Sequence, residues 1–419
     1  MSRRQPARTP RNTGSAKGAK LFYAWEFGAG LGHIGPFLPL ARALRERGHQ
    51  VHWAITQTGP GAQVLDTEGF TWLQAPNLPE RVRPGPPLSY ADILLRYGYG
   101  NQNDLLGLVV AWRELMRLTG TQLVLADHAP TAVLAARSLG LPVMLFSNGF
   151  TVPPRLHPLP ALRPWQPVPE EQLLALEKEA LDTVNAIQAH FDQPSFSALW
   201  QIFDVAEEAL LTYPELDHYE CRGDAYYWGC LPNAAIGVPP PWPPQTGPRL
   251  FAYLRPEMPH AEAVLSALHS LGLPTVIYFP GLSTAARQRF DAPHLAFADS
   301  PVDLHRAAAE ADVAITYSSL ATATGFLLAG KPLLLLPFHL EQFLLARRIA
   351  DLGAALLVNP EQTVGDLGPA ILTLLNEPGH AAQARAFATR YAAFSQEQVA
   401  HNLVRRIESL VTGSPAHEQ

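Results

Sequence analysis

Residues 21–51 read LFYAWEFGAGLGHIGPFLPLARALRERGHQV, and this stretch decides the fold. Leu21 to Trp25 is an apolar run of strand length, followed by the glycine-rich turn Gly28-Ala29-Gly30-Leu31-Gly32-His33-Ile34-Gly35-Pro36. Beyond the turn, Phe37, Leu40, Ala41 and Leu44 fall on one helical face. Pro36 suits the first helical turn, Gly48 the C-terminal stop, and Val51 to Ile55 a second strand. Strand, glycine turn, helix and strand together are the signature of a βαβ unit on a parallel sheet.

The cycle recurs outward from this unit. Leu123 to Ala126 reads as a strand, Thr131 to Leu139 as a helix stopped at Gly140, and Val143 to Phe146 as the next strand. The proline-rich stretch from Phe150 to Pro169 is too broken for a core element and fits the edge of an acceptor pocket. Gly237 to Gly247, GVPPPWPPQTG, is stiff and extended and marks a domain boundary. Strands then return at Thr275 to Phe279, Leu295 to Ala298, Val313 to Thr316 and Leu333 to Leu336. Val399, Leu403, Val404, Ile407 and Leu410 mark a closing amphipathic helix. The expected organisation is a disordered tail (1–19), a first α/β domain (20–236), a linker (237–248), a second α/β domain (249–395), a C-terminal helix (396–412) and a frayed end (413–419).

A chain of 419 residues that is 47% hydrophobic can bury the cores of two such domains. Its net charge is -6, and because the first twenty residues carry six basic groups and no acid, the remainder stands near -12. That balance argues against nucleic acid as a partner. The basic start lacks the apolar core of a secretory signal, and no apolar run reaches the roughly 18 residues of a membrane span. Peripheral membrane contact stays open. Cys221 and Cys230 are too few for a disulfide scaffold and lack zinc-site clustering, so a reducing cytoplasm is the expected compartment.

The glycine turn carries the first candidate chemistry. Gly30, Gly32 and Gly35 satisfy the dinucleotide spacing G-x-G-x-x-G, but Thr56-Gln57-Thr58 after the second strand offers no acid for a ribose. His33 lies where an open α/β sheet holds its ligands, and it suits either a hydrogen bond within the turn or proton abstraction from a hydroxyl. Asp127, just past a later strand, could orient such an imidazole or cap the following helix. In the second half, Tyr317-Ser318-Ser319-Leu320-Ala321-Thr322 opens a helix, where hydroxyls and free N–H groups suit a diphosphate or simply cap the helix.

At these residues the chain resembles the GT-B glycosyltransferases, specifically the UDP-glycosyltransferase-like family 1 enzymes. Their pattern G-x-G-H-x-x-P-x-L-x-L-A-x-x-L-x-x-x-G-H-x-V matches from Gly30 through His33, Pro36, Leu38, Leu40, Ala41, Leu44, Gly48 and His49 to Val51. The resemblance implies two Rossmann-like domains across a cleft, His33 as general base and Asp127 as its partner. The family's donor motif, A-D … H-G-G-x-x-T-x-x-E-x-x-x-x-G-x-P … P-x-x-x-[DE]-Q, is met at Gly330, Pro332, Pro337, Glu341 and Gln342. It is rewritten where the histidine becomes Tyr317, the glycines Ser318 and Ser319, and the ribose-holding glutamate Gly325.

By this resemblance Tyr317, Ser318, Ser319, Thr322 and the loop residue Ser283 bind the donor diphosphate, and Glu341 and Gln342 the donor sugar. The expected reaction is metal-independent inverting transfer from a nucleotide sugar of UDP or dTDP type, with no other cofactor, to a small-molecule or lipid-like acceptor. Trp25, Phe27 and Phe150 are candidates for an apolar acceptor pocket. The rewritten donor turn leaves three alternatives: a catalytically silent nucleotide-sugar-binding protein, a sugar-nucleotide epimerase, or a peptidoglycan-type glycolipid transferase.

Overall fold

β-Branched, leucine-rich and aromatic segments bounded by glycine and proline form twelve short strands among the described residues. In the computed structural model, which describes residues 18–28, 30–231 and 237–413, these are β1 Lys20–Trp25, β2 Gln50–Ile55, β3 Thr71–Gln74, β4 Leu123–Asp127, β5 Val143–Ser147 and β6 Glu207–Leu210. The second half supplies β7 Leu250–Tyr253, β8 Thr275–Tyr278, β9 Leu295–Ala298, β10 Val313–Thr316, β11 Leu333–Leu335 and β12 Ala355–Leu357. Two six-stranded sheets result, in the orders β3-β2-β1-β4-β5-β6 and β12-β11-β10-β7-β8-β9, with every pairing parallel. The fold is α/β with two Rossmann-like domains. Residues 1–17 of the basic tail, residues 232–236 before the linker, and 414–419 lie outside the described residues.

Parallel strands are buried on both faces, which explains their unbroken apolar character. In β1, Phe22 and Ala24 join one core with the helices Gln102–Thr119, Pro130–Ser138 and Glu170–His190. Leu21, Tyr23 and Trp25 point the other way, into a core shared with the helices Leu38–Glu46 and Gln396–Thr412. The second sheet alternates likewise, with Phe251, Val276 and Ala314 on one face and Ala252, Ile277 and Ile315 on the other.

Two local differences from the sequence pattern bear on the site. The first helix begins at Leu38 with Pro39 in its first turn, so Pro36 belongs to the preceding turn and the glycine segment is longer than expected. The strand expected to end at Ala126 continues to Asp127, which therefore reaches the sheet's edge as the last paired residue. The C-terminal helix packs on the first domain through Val399, Leu403, Val404 and Ile407, and Glu408 pairs with Arg47 at 2.8 Å. Among the described residues, no helix is long and apolar enough to cross a membrane.

Leu403 is fully buried in this contact. Leu403→Ala is expected to destabilise the protein by about 2–5 kcal/mol, the usual cost of such a truncation, measured by urea unfolding.

Candidate active site

Each sheet reverses its strand order once. β1 and β4 are neighbours although the chain leaves β1 toward β2, so a crevice opens beyond their carboxyl ends, where open α/β sheets take ligands. The short helical turn Leu31–His33 after β1 brings His33 there, and Asp127 arrives at the end of β4. Their side chains meet, with His33 Nδ1 2.9 Å from Asp127 Oδ2, at 15% and 17% exposure. Tyr23 Oη donates to the same carboxylate oxygen at 2.7 Å and lies 2.5 Å from the His33 carbonyl. A carboxylate that accepts from Nδ1–H leaves the lone pair of a neutral imidazole on Nε2.

The ring is fixed from two further sides. Trp25 stacks on it with centroids 4.9 Å apart and planes 19° apart, its indole N–H donating to the Phe27 carbonyl at 2.7 Å. Gly28 has φ +96°, and a Cβ there would stand 2.5 Å from His33 Nε2, so glycine is what leaves that nitrogen its place. At Gly32 a Cβ would meet open space, so the turn can be approached closely.

Burial opposes a charge on His33, but the charge and hydrogen bond of Asp127, with Glu341 beyond, outweigh it and raise the pKa above the ordinary 6.5. Burial and Asp127 hold the Tyr23 phenol well above its ordinary range, so it remains a donor. His128, next to Asp127, is pushed down to about 3 by burial first and His33 second, and stays neutral. Its backbone is left-handed at φ +45°, and its Nε2 is buried without a partner among the described residues.

The second domain faces this dyad. Glu341, on the helix Leu340–Asp351, accepts a 2.5 Å hydrogen bond from Asn148 Nδ2 at the end of β5, linking the two domains. Burial raises the pKa of Glu341 against the pull of His33, while the Asp127 charge adds to the rise and the Asn148 bond opposes it. Gln342 turns its Oε1 back to the Phe338 N–H at 3.1 Å, which leaves its NH2 group as a donor.

The rewritten donor turn follows β10. Tyr317 packs between Tyr253 and Phe338, at ring distances of 5.0 and 5.7 Å. Ser318 keeps the left-handed backbone of a glycine, φ +66°, and its Oγ is buried with no partner among the described residues. Ser319 Oγ donates to Thr322 Oγ1 at 2.9 Å, and the helix Leu320–Leu328 has no side-chain cap, so its first N–H groups are available to a ligand. Ser283 caps its own short helix by accepting from the Ala286 N–H. At Gly325 a Cβ would meet open space where the motif has a glutamate.

Of the expected acceptor residues, Phe27 lies 4.6 Å from Tyr97 and edge-on to His128, and Phe150 clusters with Leu162, Tyr219 and Leu344 across the domain junction. Trp25 is corrected: it is fully buried beneath His33, because its place in β1 turns it toward the helix layer rather than the crevice. Tyr23, His128 and Asn148 escape the sequence reading. Tyr23 reads as strand core, but Asn148 and His128 each follow a strand, a position that could have flagged them. A groove of about 520 Å3 beside Arg137, Pro142 and Phe196 lies at the amino ends of the strands, away from this chemistry. Among the described residues, no group of three or more His, Cys, Asp or Glu could hold a metal ion.

No protein-family model and no curated protein matches this chain by sequence. Solved structures do. The chain is similar to the glycosyltransferase VinC in complex with dTDP, at 19% identity and TM-score 0.67 over 94% of this chain and 100% of that one. It is similar to the calicheamicin glycosyltransferase CalG4, at 16% identity and TM-score 0.69 over 96% and 100%. The spinosyn rhamnosyltransferase SpnG complexed with thymidine diphosphate matches at 19% identity and TM-score 0.61 over 93% and 100%, and SpnG has also been solved with spinosyn aglycone. Likeness at this identity defines the fold, which is that of the GT-B glycosyltransferases.

The dyad has a spectroscopic consequence. His33 is expected to titrate above 6.5 in a pH series followed by NMR of its ring nuclei, and Asp127→Asn to bring that midpoint below 6.5, because burial then acts with its main opposing charge removed.

Proposed function

We propose that the protein is an inverting glycosyltransferase that moves a sugar from a nucleoside diphosphate to a hydroxyl of a small or lipid-like acceptor. The observation that carries this reading is the His33–Asp127 pair, joined at 2.9 Å on one wall of the cleft, with Glu341 electrostatically coupled to it from the other. His33 Nε2 takes the proton of the acceptor hydroxyl as its oxygen attacks the anomeric carbon. The bond from that carbon to the β-phosphate oxygen breaks, the electron pair leaves on the diphosphate, and a single displacement inverts the centre. Asp127 holds Nδ1–H and stabilises the imidazolium that forms, while Tyr23 holds Asp127.

The leaving diphosphate goes to the start of the helix Leu320–Leu328, with hydroxyls from Tyr317, Ser318, Ser319 and Thr322, and the reading gives no metal ion a part in this. Glu341 Oε2 and the Gln342 amide take hydroxyls of the transferred sugar while Asn148 holds Glu341 Oε1. A dTDP-type donor is favoured because two of the similar structures carry dTDP or thymidine diphosphate. An apolar acceptor is favoured because SpnG, one of the similar structures, has been solved with spinosyn aglycone, and Phe27 and Phe150, only 7% and 6% exposed, would back such a pocket rather than line it openly. The unbonded cysteines Cys221 and Cys230 suit a reducing, cytoplasmic compartment.

The test is turnover of dTDP- and UDP-sugars with a panel of hydroxylated apolar acceptors. His33→Ala is expected to lower kcat by about 10²–10⁴-fold, the usual contribution of a general base, with nucleotide binding retained. Equal turnover in that variant would sink the base assignment. A base works only when unprotonated, so kcat/KM should rise with pH through a midpoint above 6.5, following the raised pKa of His33. EDTA should leave the rate unchanged.

A further inference from the structure

The second sheet has its own switch point, between β7 and β10, and its two walls come from different segments. One wall is the turn Tyr317-Ser318-Ser319 with the start of the helix Leu320–Leu328. The other is Leu254-Arg255-Pro256, the chain leaving β7. Tyr253, the last residue of β7 and paired with Thr316 of β10, joins them: its ring meets Tyr317 edge-on at 5.0 Å, and the charge of Arg255 opposes the rise that burial imposes on its phenol. Tyr278, at the end of β8, packs 5.0 Å from Tyr253 and also feels the charge of Arg255. The Arg255 side chain is 35% exposed and approaches the carboxylate of Glu257 at 3.6 Å, longer than a hydrogen bond.

A diphosphate entering this crevice brings two or more negative charges, whereas a helix N-terminus offers about half a positive one. The phenol of Tyr317 donates a hydrogen bond but adds no charge. Ser318, 1% exposed, holds its Oγ without a partner among the described residues and keeps a left-handed backbone that disfavours a side chain, a combination suited to a ligand at this turn. Arg255 offers the missing charge, and its planar fork matches two phosphate oxygens at once.

We propose that Arg255 is a donor-binding residue that grips the diphosphate of the nucleotide sugar opposite Ser318 and the N–H groups of the helix Leu320–Leu328. This rests on the glycosyltransferase reading and assigns the phosphate-binding charge within it. Glu257, 3.6 Å from the guanidinium, is the nearby negative charge that weakens the attraction of Arg255 for an anion.

Calorimetric titration of the full chain with dTDP, UDP and dTMP tests it. Arg255→Ala is expected to weaken dTDP binding by about 10- to 100-fold, the range of a charged hydrogen bond, and to cut the preference for dTDP over dTMP. Arg255→Lys should recover part of the loss, and thermal melting checks that each variant folds. Wild-type protein that binds dTDP or UDP, with Arg255→Ala binding it equally well, overturns the role of Arg255 alone. Wild-type protein that binds neither overturns the donor reading and Arg255 with it. Should Arg255→Ala fail to fold, Glu257→Gln decides: binding tighter by about 2- to 5-fold supports the proposal, and unchanged binding overturns it.

Discussion

Because all six strands of each sheet run parallel, every strand releases its chain at the same edge, and each sheet has one place where neighbouring strands lead their connections in opposite directions. The rest of the molecule follows from that constraint. A side chain just past β1 and another at the end of β4 are about 100 residues apart in sequence yet adjacent in space, as His33 and Asp127 are. The turn after β10 is set beside the end of β7 by the same rule. Helices on both faces then keep the strands buried, so that polar side chains gather at the edge where the backbone turns.

At that edge, burial and charge work against one another. His33 and Glu341 are both shielded from water, and shielding alone would keep the imidazole neutral and the carboxyl protonated. Asp127 is the residue that tips the balance toward a basic ring, and Tyr23 supports it from below with a phenol that burial keeps protonated. His128 is one residue further along and ends at the opposite extreme, neutral throughout the physiological range. Two imidazoles whose ring centroids are 6.5 Å apart are thus shifted in opposite directions, His33 upward by the carboxylate it is bonded to and His128 downward by burial and the charge of His33.

The βαβ unit was legible where an apolar run, a glycine and an amphipathic stretch succeed one another, as they do from Leu21 to Val51, whereas the order of strands across each sheet was not. The helix Glu170–His190 was not, because its buried face includes Glu177 and Gln188, which interrupt the apolar period. Glu177 is fully buried and accepts from the backbone of Leu159 and Leu199, a tertiary use that no local pattern announces. His33 and Asp127 could be proposed from glycine spacing and strand ends. Tyr23 could not, since a tyrosine within a strand has the same sequence signature whether its hydroxyl is idle or holds a carboxylate. Trp25 misled for a related reason: proximity to a strand end in sequence does not say which face the ring takes.

Gly28 has the widest consequence for how this sequence can change. A single methyl group at that position would stand 2.5 Å from His33 Nε2, on a backbone that already disfavours side chains. A side chain at 28 therefore asks the imidazole at 33 to move, whereas a residue at 33 too short to reach that point would lift the clash and leave only the positive φ to favour glycine.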